Sequence, residues 1–122
     1  MSDALAISRA YYEAWAAKDF DRAMTYLAPD VVGLTPSGRL DGAEAFRGFM
    51  EPFTRIVTAT GLVAAFGDDR TSVLLYDTAT VPVPDAPGAE CHTVVDGRIT
   101  EIRIVFDRLP FAEAREARAA AG

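Results

Sequence analysis

The chain has 122 residues, 50% of them hydrophobic and 25% charged, which suits one globular domain with a sizeable core and excludes a disordered chain. Its formal net charge of −6 argues against nucleic acid or an anionic membrane as partner, because either needs a basic face. A single cysteine, Cys91, excludes an internal disulfide, no apolar run reaches the ~20 residues of a membrane span, and Met1-Ser2-Asp3 lacks the positive segment of a secretory signal, so a cytoplasmic protein is expected.

From Ala4 to Lys18 the apolar residues recur at helical spacing, with Ala4, Ile7, Tyr11, Ala14 and Trp15 on one face and Arg9, Glu13 and Ala17 on the other. Ser2 or Asp3 caps this helix, and Asp19 caps a second, whose buried side is Phe20, Ala23, Met24 and Leu27 and which Pro29 ends. Val31 to Thr35 reads as a short strand, after which Pro36-Ser37-Gly38 turns the chain. Asp41-Gly42-Ala43-Glu44 has the form of a capping box and opens a third helix, with Phe46, Phe49, Met50 and Phe53 on one stripe. Pro52 inside that stripe predicts a kink or an end nearby.

Four strand-like runs follow: Thr58 to Phe66, Ser72 to Val81, Ala89 to Val95 and Ile99 to Phe106. Gly67-Asp68-Asp69 turns the first pair. Pro82, Pro84 and Pro87 crowd the next connection, as in a loop at the open rim of a sheet. Asp96-Gly97 joins the last two, the strongest short hairpin signal, because both turn residues must accept a positive φ. A final helix follows Pro110. Helices grouped early and a meander late imply one α+β domain over residues 1–122. Its expected form is a cone-shaped, curved antiparallel sheet closed by the N-terminal helices, with an interior pocket.

In this order the motifs resemble the nuclear-transport-factor-2-like superfamily, whose fold is an α+β roll of the cystatin-like kind, and within it the small bacterial SnoaL-like proteins. The resemblance rests on Ala10-Tyr11-Tyr12 with Trp15, on Lys18-Asp19-Phe20-Asp21, on Asp41-Gly42, and on Asp96 to Arg103 followed by Phe106-Asp107. It covers essentially the whole chain and implies the fold more strongly than an activity, since the superfamily holds ketosteroid isomerases, epoxide hydrolases, polyketide cyclases, dehydratases and domains without chemistry. Tyr11 matches the isomerases' first-helix tyrosine. Their general-base aspartate is replaced here by Thr35 before Pro36, and the last-strand acid of hydrolases and cyclases by Ile104. Glu90 lies near the isomerases' second acid and the cyclases' histidine. The resemblance also implies a homodimer through the outer face of the sheet.

Alternation puts Glu90, His92 and Val94 on one strand face and Cys91, Thr93 and Val95 on the other. The resemblance turns the Glu90 face into the cone. A connection centred between Val83 and Pro84 would set Asp77 opposite Glu90 on that face, and a one-residue slip would send it outward. Two acids in an apolar cavity would divide donor and acceptor roles, and His92, the chain's one histidine, can change charge near neutral pH. Tyr11 would donate to a developing oxyanion. Trp15, Phe46, Phe49, Phe53, Ile104 and Phe106 are the expected substrate-binding wall. No metal-ligand spacing and no phosphate loop occurs, so no metal and no cofactor is implied. Two functions are open: a cofactor-independent acid/base enzyme (isomerase, cyclase, dehydratase or epoxide hydrolase) acting on a small apolar metabolite, or a non-catalytic small-molecule-binding or assembly domain.

Overall fold

A computed structural model of the chain describes residues 3–121. Helix α1 (Ala4–Ala16) starts where the Asp3 carboxylate accepts a hydrogen bond from the Ala6 amide at 3.2 Å; Ser2, the other expected cap, lies outside the described residues. The buried stripe of α1 includes Ala4, Ser8, Tyr11 and Trp15, the i, i+4, i+7, i+11 series of one helical face. Ser8 is thus a buried polar residue on the face that packs against strands. Helix α2 (Phe20–Met24) is capped by Asp19, which accepts from the Arg22 amide at 3.1 Å. It ends before Pro29, which instead lies in strand β1 (Leu27–Thr35), four residues longer at its start than the expected run.

The turn after Thr35 leads into a strand absent from the sequence reading, β2 (Gly38–Asp41), which pairs antiparallel with β1. Asp41 is therefore not the cap of the third helix. It closes β2 and accepts from Arg39 Nε at 2.9 Å, while helix α3 (Ala43–Ile56) has Gly42 at its N-cap with no side-chain bond. Helix α3 also runs through Pro52 and on for another turn. Its last carbonyls have a partner from outside, because Lys18 Nζ donates to the Thr54 and Val57 oxygens. Arg47 ties α3 to α2 by pairing with Asp21 at 2.6 Å, and Glu51, one turn on along α3, holds it at 2.9 Å.

Strands β3 (Val57–Gly67), β4 (Thr71–Thr80), β5 (Gly88–Val95) and β6 (Arg98–Phe106) form the expected antiparallel meander, and helix α4 (Leu109–Ala121) follows with its first amide bonded to Asp107. The β5–β6 hairpin turns on Asp96 (φ 51°) and Gly97 (φ 79°), both in the left-handed region that a two-residue turn of this kind needs. The sheet has six strands in the order β2-β1-β6-β5-β4-β3, and β1 lies parallel to β6. That parallel contact puts the first strand beside the last. It makes the sheet mixed where an all-antiparallel one was expected.

Helices α1 and α3 cover one face of this sheet, and the core between them is continuous from Tyr11, Trp15 and Phe46 to Leu74, Ile99 and Ile102. On the covered face the register sets three rows: Ser72–His92–Ile102, Leu74–Glu90–Ile104 and Tyr76–Gly88–Phe106. Among the described residues no helix is long and apolar enough to cross a membrane.

Candidate functional site

Each of the three rows carries a polar side chain of the site: Ser72 and His92 in the first, Glu90 in the second and Tyr76 in the third. Glu90 is 1% exposed and His92 fully buried, in an environment where a polar group is costly unless bonded. Both are bonded. Tyr76 Oη donates to Glu90 Oε2 at 2.5 Å, Glu90 Oε1 lies 2.8 Å from His92 Nε2, and His92 Nδ1 lies 2.7 Å from Ser8 Oγ, which in turn bonds Ser72 Oγ. The donors and acceptors line up in one sense when Nε2–H donates to the carboxylate, leaving Nδ1 to accept the Ser8 hydroxyl. Five side chains from α1, β4 and β5 so form one chain: Ser72, Ser8, His92, Glu90, Tyr76.

This geometry is a consequence of strand spacing. Glu90 and His92 are two apart on β5, hence on one face, and Tyr76 is the diagonal neighbour of Glu90 on β4. Ser8 reaches them because α1 lies across β4 and β5. The Tyr76 hydroxyl is held well above the ordinary phenol range, first by burial and then by the Glu90 carboxyl.

The Tyr76 end of the chain opens on a cavity of about 730 Å³, within the range of small-molecule pockets. Its floor is Tyr76, Gly88, Ile104 and Phe106. One wall is the second half of α3 (Phe49, Met50, Pro52, Phe53 and Ile56), and another is the β4–β5 connection with Val83, Ala86 and Pro87. The mouth carries Asp85, Asp107, Arg108, and Phe111 and Arg115 of α4. Glu90 and His92 are not part of the lining; they stand behind Tyr76.

The expected wall residues divide accordingly. Phe49, Phe53, Ile104 and Phe106 line the cavity. Trp15 and Phe46 do not: Phe46 is fully buried, and Trp15 packs edge-on behind Phe53 and Tyr76, at 6.2 and 5.4 Å between ring centroids. Tyr11 also falls outside the lining. It is fully buried, edge-on to His92 at 5.5 Å, and its hydroxyl has no bonding partner among the described residues, as is true of the Trp15 indole N–H. The Tyr11 hydroxyl is raised well above its ordinary value, by burial and then by Glu90.

Asp77 does not meet Glu90. The partner of Glu90 on β4 is Leu74, three residues away, and an odd shift reverses the face. Asp77 is exposed on the outer side. The reason is the form of the connection: Thr80 bonds Val83 through both its amide (2.8 Å) and its hydroxyl (2.9 Å), and Thr78 holds Ala86. The chain therefore folds back around Pro82 and not between Val83 and Pro84. Thr35, at the place of the isomerase base, spends its hydroxyl on the Gly38 carbonyl at 2.9 Å.

Tyr76 and Ser8 were the residues that sequence reasoning passed over. Ser8 could have been found from its place on the buried α1 stripe. Tyr76 follows only from the register. Among the described residues no group of three or more His, Cys, Asp or Glu could hold a metal ion.

A family model for the SnoaL-like domain matches residues 8–102. A crystal structure of a protein from Kribbella flavida DSM 17836 is 54% identical, covers 98% of this chain and 99% of that one, and superposes with a TM-score of 0.95. An NTF2-like protein from Cytophaga hutchinsonii (19% identity, 87% and 91% covered, TM-score 0.73) shares the fold. So does a candidate polyketide cyclase from Sinorhizobium meliloti (20%, 81% and 93%, 0.71). No curated protein matches the chain. Since the match runs from Ser8 on the first helix to Ile102 on the last strand, the chain belongs to the SnoaL-like family, and it shares its fold with NTF2-like proteins.

Proposed function

We propose that the protein is a cofactor-independent acid/base enzyme for a small apolar molecule, with Tyr76 as the group that meets the substrate and Glu90 as the base behind it. The observation that carries this reading is the bonded series from Tyr76 through Glu90 to His92, which begins on the floor of an apolar cavity. A proton leaving the substrate passes to the Tyr76 oxygen while the Tyr76 proton passes to Glu90 Oε2, so the tyrosine relays charge without itself ionising. His92, donating to the other carboxylate oxygen, holds Glu90 in place. Such chemistry serves isomerisation, cyclisation or dehydration, each of which begins with or passes through one proton transfer.

A second reading has its own support. Neither Glu90 nor His92 touches the cavity, and the wall is almost wholly apolar, which suits a binding domain that holds a molecule without changing it. Turnover separates the two. Against a panel of aromatic and polyketide-type enols and ketones, Glu90→Gln and Tyr76→Phe should lower kcat by at least about a hundredfold, the lower range of general-base catalysis, with circular dichroism unchanged. Full turnover in the Glu90→Gln protein would sink the enzyme reading, and binding without product across the panel would favour the second.

A further inference from the structure

Tyr76 is the one residue of the cavity floor with a polar side-chain atom, and the bonding sense of its oxygen is already set. Its proton points at Glu90 Oε2, 2.5 Å away, and among the described residues nothing else bonds to it. Burial and the Glu90 carboxyl keep that proton on the phenol, so what remains on the cavity side is a lone pair. The oxygen is open because of its neighbour. A Cβ on Gly88, the residue paired with Tyr76 across the strands, would stand 3.2 Å from the phenol oxygen and 2.9 Å from the ring. Gly88 and Tyr76 together leave a notch, and both line the cavity.

We propose that this notch is a subsite for a ligand hydroxyl, a phenol or enol O–H that donates to the Tyr76 oxygen. The body of the ligand is flat and apolar, since Phe49, Phe53, Ile104 and Phe106 surround it. A carbonyl in the same place would face a lone pair with no donor. The buried donors nearby do not serve it, because Tyr11 and Trp15 lie outside the lining. An ammonium would have to be desolvated into aromatic walls with the Glu90 charge screened by the Tyr76 ring, a costly transfer. The inference rests on the reading of this cavity as the ligand site, but not on catalysis.

Calorimetric titration with 2-naphthol and with naphthalene tests it, since the second lacks the hydroxyl and adds no bulk in the notch, and neither needs to react. The wild-type protein should bind the naphthol about tenfold more tightly, the usual worth of one buried hydrogen bond. Tyr76→Phe should bring the two affinities together. Gly88→Ala should do the same, because its methyl fills the notch and displaces the ring with its oxygen, and it serves if the phenylalanine variant does not fold. Equal binding by the wild type, or a preference that survives in both variants, overturns the hydroxyl subsite while leaving the cavity as a ligand site. Failure of both compounds to bind overturns the cavity reading, and the subsite with it.

Discussion

Tyr76 and Gly88 are directly paired across β4 and β5, and the ring of one occupies the space that a side chain on the other would fill. A methyl group on Gly88 would stand 2.9 Å from Cε1, closer than carbon atoms in proteins approach, so the ring has to move. Gly88→Ala is expected to lengthen the 2.5 Å bond from Tyr76 to Glu90 and to cost about 1–3 kcal/mol of stability, the range for overpacking a tight core. Turnover of any substrate found should fall with it. A crystal structure of the variant with the Tyr76–Glu90 bond intact would contradict this.

Ser8 is expected to matter through His92. Its hydroxyl is the partner of Nδ1 at 2.7 Å, and both residues are fully buried. Ser8→Ala leaves that nitrogen and the Ser72 hydroxyl without their bonds, at a cost of about 1–3 kcal/mol. Urea denaturation reads the loss, and Ser8→Thr should recover part of it. Nitrogen NMR of His92 supplies the second readout: the wild-type ring should carry its proton on Nε2, and the Ser8→Ala ring should not hold that tautomer as cleanly.

Tyr11 is expected to behave in the opposite sense. Its buried hydroxyl lacks a partner, so Tyr11→Phe removes an unpaid desolvation and should leave stability unchanged or raise it by about 1 kcal/mol. A loss of more than that would show a bond that the structure does not contain. The same residue bears on alkaline stability. Tyr11 and Tyr76 both have folded-state pKa values well above the ordinary 10.0, so above pH 10 the unfolded chain releases their protons while the folded chain keeps them. Their contribution is fully present below pH 10 and is lost as pH rises from there towards the folded values. The urea midpoint should fall steeply above pH 10, and less steeply in Tyr11→Phe. A flat profile in the wild type would argue against both raised values.

The outer face of the sheet carries two adjacent apolar rows, Phe66–Val73–Cys91 and Ala64–Leu75–Ala89–Val105, with Phe66 72% and Val105 60% exposed. We propose a second copy of the chain as the cover of this face, as the resemblance implies. Sedimentation should report a dimer at micromolar concentration, and Leu75→Lys with Val105→Glu should yield a folded monomer, because these positions are 43% and 60% exposed in one chain and lie outside its core. A wild-type monomer would end the proposal.

Much of the architecture was legible because it is local. The apolar spacing of α1, the caps at Asp3 and Asp19, and the Asp96-Gly97 turn each depend on a few neighbouring residues, and each forms as expected. The common face of Glu90 and His92 is equally local, since strand alternation allows no other arrangement. Where distant segments meet, the sequence was silent or misleading. The parallel contact of β1 with β6 arises from pairing across most of the chain. Strand β2 is a local hairpin partner of β1, and its four residues carry no apolar alternation that marks them as a strand.

The site divides along the same line. Alternation determined that Glu90 and His92 would share one face of a strand, and the resemblance turned that face inward. Which side chain stands between them and the cavity depended on how residues 81–87 fold back, and there the bonds of Thr78 to Ala86 and of Thr80 to Val83 decide. That choice exchanges Asp77 for Tyr76 at the cavity floor. Only the tertiary structure could make it, because a strand's register is set by contacts between segments, and a shift of an odd number of residues reverses every side chain.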